Sequence, residues 1–106
     1  MKVAIIGSKS LDFDISDYIP NRVTEIISGG AKGIDVRAKN YAIKHNIRFV
    51  ELLPEYEKYG KSAPFKRNAQ IVDRADMVIA FWDGLSRGTK FAIDYAREKE
   101  KFILIF

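Results

Sequence analysis

The residues of this chain best suited to chemistry lie in three turns rich in glycine and hydroxyl side chains. They are Gly7-Ser8-Lys9-Ser10, Gly29-Gly30-Ala31-Lys32-Gly33 and Ser86-Arg87-Gly88-Thr89. Each falls where a short apolar run gives way to a helical pattern. The first N–H groups of a helix have no intrahelical acceptor, and glycine lets a ligand approach the backbone closely. Turns of this kind suit a phosphate. Glycines 29, 30 and 33 also have a plainer use, in a tight turn and close helix-strand packing. The accompanying basic and hydroxyl residues favour the anion.

Several cations sit in or beside these turns: Lys9, Lys32, Arg37, Arg67, Arg87 and Lys90. Arg67 and Asn68 fall one turn into a helical pattern, as a pair able to clamp a phosphate and a sugar or base edge. Trp82 follows an apolar run, where its ring either stacks on a base or packs beneath the turns. Asp35 opens a helical pattern, a position at which a carboxylate is favoured by the helix dipole. Asp76 reads as a turn or cap residue, and His45 as a surface histidine near a helix end. Neither the dinucleotide pattern G-x-G-x-x-G nor the P-loop pattern is present, which argues against a standard NAD dehydrogenase or P-loop kinase.

The elements that position these turns alternate along the chain. Buried-type apolar runs at residues 3–6, 23–27, 48–53, 77–81 and 102–106 predict five strands. Helical spacing predicts helices over 34–45, 64–74 and 88–99, with a weak candidate at 12–18. Pro64 suits the first turn of its helix. The stretch 54–63 carries Tyr56 and Tyr59 and reads as the longest irregular segment. Strands joined by helical crossovers predict an α/β fold, a Rossmann-like doubly wound parallel sheet of order 3-2-1-4-5. All three turns then open onto one sheet edge, around the switch point between strands 1 and 4.

Bulk properties set the frame. A chain of 106 residues has room for one domain, and 47% hydrophobic with 30% charged residues is an ordinary globular composition. A net charge of +4 allows an anionic partner without demanding one. No cysteine is present, so disulfides and thiolate zinc sites are excluded. No apolar run reaches the roughly 18 residues of a membrane span. A cytoplasmic location is expected, with no membrane partner. Strand 5 leaves an exposed edge, which makes a homo-oligomer, most simply a dimer, the expectation.

Taken together, GGAKGID at 29–35, KRNAQIV at 66–72, ADMVIAFWDG at 75–84 and SRGT at 86–89 resemble the SLOG superfamily. That group includes the lonely guy-type phosphoribohydrolases and the Rossmann-like domain of DNA-processing protein A. The likeness is greatest to its small single-domain members related to YpsA and YspA, and it spans the chain from Gly7 to about Ala96. It implies a Rossmann-like domain binding a nucleotide or nucleotide-derived ligand such as AMP, ADP-ribose or NAD, as a sensor or as an N-glycosidic hydrolase. The expected ligand residues are then Gly7, Ser8, Gly29, Gly30, Ala31, Gly33, Asp35, Arg67, Asn68, Trp82, Asp83, Ser86, Gly88 and Thr89. Asp35 would contact a ribose hydroxyl or a water, and Trp82 or Tyr56 would cover the base. The alternative is a module for single-stranded nucleic acid, resembling DNA-processing protein A. One departure bears on catalysis: the hydrolases carry a glutamate three residues after the threonine, and this chain has Ala92 there. Without that carboxylate the acid-base group for glycosidic cleavage is missing; Asp83 and Asp94 lie nearby at a different spacing.

Overall fold

The computed structural model describes residues 1–106. It contains five strands, β1 (Lys2–Gly7), β2 (Glu25–Ser28), β3 (Arg48–Glu51), β4 (Met77–Phe81) and β5 (Phe102–Ile105). Between them lie helices α1 (Ile34–Lys44), α2 (Tyr56–Tyr59), α3 (Ala63–Arg74) and α4 (Arg87–Glu98). The sheet is wholly parallel with order β3-β2-β1-β4-β5, as the alternation predicts. β1 is central, paired in register Val3↔Ile26 on one side and Val3↔Met77 on the other.

Strand periodicity divides the apolar residues between two layers. Val3, Ile5, Ile79 and Phe81 face α1, which contributes Ile34, Ala38 and Ala42. Ala4, Ile6 and Val78 face Ile71 and Val72 of α3 and Ala92 and Ala96 of α4. Small alanines on the helices let them approach the sheet closely, and both faces of β1 and β4 are buried as a result. No helix is long and apolar enough to cross a membrane. β5 is an edge strand, with Phe102 62% exposed.

Two segments differ from the sequence expectation. Residues 12–18 form no α-helix; a single 3-10 turn spans Ser16–Tyr18. Asp14 competes locally, accepting from the Ser16 amide at 2.9 Å and its hydroxyl at 2.6 Å. Ile15 and Ile19 are buried, while the rings of Phe13 and Tyr18 pack edge-on against Phe81. Tertiary packing, not a helical stripe, places this crossover. The 54–63 stretch is in turn more ordered than expected: α2 is followed by a 3-10 turn at Gly60–Ser62 that leads into α3. Gly60, at φ +58°, marks the break between them.

Candidate functional site

A cleft of about 670 Å³ opens at the C-terminal edge of the sheet, over the gap between β1 and β4. This is the crevice expected of a doubly wound sheet, and its size is that of a small-molecule site. The turns after β1, β2 and β4 all contribute to its walls.

Gly7 ends β1 where α1 begins. A Cβ there would lie 2.3 Å from the Cβ of Ile34, so this glycine lets the helix seat against the strand. Ser8 then turns inward and is buried. Its hydroxyl accepts from the Asp83 amide at 3.1 Å and donates to the Thr89 hydroxyl at 3.4 Å, tying the β1 turn to the β4 turn. Lys9 and Ser10 continue outward along the cleft.

The second turn is the closest-packed part of the wall. A Cβ on Gly29 would stand 2.7 Å from Arg67 Nη1 and 2.9 Å from Asp35 Oδ2. On Gly30 it would stand 2.7 Å from Leu53 and 3.5 Å from Glu51 Oε1. Asp35 lies in the first turn of α1 and accepts from the Ala31 amide at 3.1 Å. It is only 7% exposed. Burial raises its pKa above the ordinary 3.8, and the Glu51 charge adds to this; the Ala31 amide, the Ser28 hydroxyl and the Arg67 charge oppose the rise.

A native acid with a raised pKa holds its proton more tightly than the unfolded chain does. Its stabilising contribution is therefore present at low pH and fades as pH rises from about 3.8 through the native value. Asp35→Asn cannot titrate, yet its amide oxygen can still accept from Ala31. The stability of the variant relative to the native protein should rise as pH increases from about 3.8. Urea denaturation from pH 3 to 7 checks this, and a constant difference across that range contradicts the assignment.

Arg67 and Asn68 act as one unit. Arg67 Nε donates to Asn68 Oδ1 at 2.8 Å and Nη1 to the Leu52 carbonyl at 3.4 Å. Asn68 in turn donates to the Gly88 carbonyl at 3.0 Å, joining α3 to the start of α4. Asn68 thus positions, while Arg67 presents its remaining guanidinium edge to the cleft.

In the third turn, Asp83 organises the backbone. Its Oδ1 accepts from the amides of Leu85 and Ser86, both at 2.8 Å, and its Oδ2 from the Ser10 hydroxyl at 2.6 Å. These bonds hold its pKa down at about 2. Ser86 caps α4 by accepting from the Thr89 amide, and the amides of Arg87 and Gly88 have no acceptor within the helix.

Of the residues the sequence nominates, Gly7, Gly29, Gly30, Ala31, Asp35 and Arg67 line the cleft. So do Asn68, Asp83, Ser86, Gly88 and Thr89. Ser8, Gly33 and Trp82 do not. Gly33, at φ +73°, is the backbone hinge before α1. Trp82 donates its indole N–H to the Ser86 carbonyl at 3.0 Å, bracing the turn from outside. Among the cations, Arg37 is paired with Asp12 at 2.7 Å and Lys90 with Asp94 at 2.8 Å. Only Lys9 and Arg67 line the cleft.

An apolar wall completes the site: Leu53, Pro54, Tyr56, Pro64 and Phe65. Of these, sequence reasoning nominates only Tyr56. Prolines flanking a long segment with aromatic residues are the one local signal for the rest. Ala92 points into the core beneath α4 and is fully buried, so its position supplies no group to the cleft. Comparison of the chain with protein-family models, curated proteins and solved structures returns no match.

Proposed function

We propose that the cleft binds a nucleotide or nucleotide-derived small molecule, the ligand class that the SLOG resemblance implies. One observation carries this reading: the cleft has a polar end and an apolar wall that match the two ends of a nucleotide. Ser86, Thr89, the free amides of α4 and Arg67 form the polar end, suited to phosphate. Tyr56, Leu53 and Phe65 offer faces against which a base packs. Asp35, beside Gly29 on the cleft wall, is suited to accept from a sugar hydroxyl. A strand of nucleic acid needs several unpaired cations along a groove. Here the cleft presents two, and two others are held in surface ion pairs. That balance favours the small ligand. With Ala92 buried, binding alone is proposed, as in a sensor.

Thermal unfolding with ADP-ribose tests the reading. At a concentration 100 times Kd the native state gains about 2.7 kcal/mol, which for a domain of this size raises Tm by roughly 10 °C or more. Arg67→Ala should lose most of that rise. An unchanged Tm with AMP, ADP-ribose and NAD alike defeats the proposal.

A further inference from the structure

Resting on the nucleotide reading, we infer that the cleft selects a phosphate esterified on both sides, such as a diester or diphosphate bridge, over a terminal phosphomonoester. The observation behind it is the fixed anion at the polar end. Asp83 lines the cleft with both carboxylate oxygens held, by Ser10 on one side and by the amides of Leu85 and Ser86 on the other. Those two amides belong to the very turn that opens α4. A carboxylate of the protein already occupies them, and it stands as a negative charge beside the place a phosphate would take.

The surrounding charges do not outweigh it. Lys9 and Arg67 line the cleft, and so do two carboxylates, Asp35 and Asp83. Arg67 spends Nε on Asn68 and Nη1 on the Leu52 carbonyl. Lys90, one turn into α4, is drawn off by Asp94. Arg87 is exposed outside the cleft wall. What remains for an incoming phosphate is the partial positive charge of the α4 N-terminus, one guanidinium edge and the exposed Lys9 of the β1 turn. At the α4 end of the cleft the fixed Asp83 carboxylate offsets that positive charge. A second charge on the same phosphorus is set against this carboxylate.

AMP and its 5′-methyl phosphodiester isolate the charge, because base, sugar and phosphorus are the same. At pH 8 the monoester is a dianion, since its second pKa is about 6, and the diester is a monoanion. By titration calorimetry the methyl diester and ADP-ribose should each bind at least tenfold more tightly than AMP. In Asp83→Asn the side-chain oxygen can still accept from Leu85 and Ser86, so the turn survives while the charge is removed. There the preference should shrink to threefold or less, through a gain in AMP affinity. AMP binding as tightly as the methyl diester in the native protein overturns the inference while leaving the nucleotide reading intact, and that comparison needs no variant. An undiminished preference in Asp83→Asn also overturns it. Failure of all three ligands to bind removes both proposals together.

Discussion

Gly33→Ala should destabilise the protein by about 4 kcal/mol, from ~1–3 kcal/mol of backbone strain and ~1–3 kcal/mol of overpacking. Gly33 has φ +73° and ψ −117°, a conformation that an L side chain does not readily adopt. An added Cβ would also stand 2.2 Å from the Leu11 carbonyl oxygen. That oxygen belongs to the backbone and cannot swing aside like a side chain. Its segment is pinned by the Leu11 amide on the Ser8 carbonyl at 3.0 Å and by Asp12 on Arg37. Against a total stability of about 5–15 kcal/mol, such a loss leaves a marginal fold. The urea midpoint should fall with an unchanged slope. A variant within 1 kcal/mol of the native protein would show that the β2–α1 turn can relax, and that this reading of Gly33 is mistaken.

Gly29→Ala should give the opposite pattern, with binding lost and folding kept. Gly29 has no positive φ, so alanine adds no backbone strain. Its Cβ would meet the end of the Arg67 side chain at 2.7 Å and the Asp35 carboxylate at 2.9 Å. Arg67 is long and can move, at the expense of its bonds to Asn68 and Leu52. Displacing the guanidinium removes the strongest cationic donor from the cleft; loss of a charge-assisted bond of about 1.5–3 kcal/mol corresponds to roughly 10–100-fold in affinity. Calorimetry with ADP-ribose measures that, and urea denaturation should place the variant within about 2 kcal/mol of the native protein. Full affinity in Gly29→Ala would mean that Arg67 is not part of the binding surface.

These two glycines also show where sequence reasoning stops. Four residues apart in one turn, both read as ligand positions, yet Gly29 borders the cleft and Gly33 is a hinge packed on Leu11. Strand order and the position of the cleft follow from alternation of apolar runs and helical patterns, because a parallel sheet leaves few topologies open. Three-dimensional neighbours are another matter. Ser8 is a plausible phosphate ligand in a linear reading, but Asp83 and Thr89 draw its hydroxyl inward. Trp82 suits a base until its N–H is seen on the Ser86 carbonyl. Arg37 and Lys90 count toward a basic site only while Asp12 and Asp94 are unplaced. Residues 12–18 escape the helical pattern because Phe13 and Tyr18 find Phe81, a contact between distant parts of the chain.

The central place of β1 has a consequence for the order of events in folding. β1 ends at Gly7, but its neighbour β4 ends only at Phe81. At synthesis rates of about 5–20 residues per second, that interval lasts roughly 4–15 s. Throughout it, one flank of the central strand waits unpaired, open to chaperones or to other nascent chains. The bond between Ser8 and Thr89 spans 81 positions and forms later still. Such long-range closure slows folding, since chain entropy is lost before distant contacts reward it. The cleft is therefore among the last features to be assembled. A ligand held there can stabilise the finished molecule but cannot guide the early steps by which it is made.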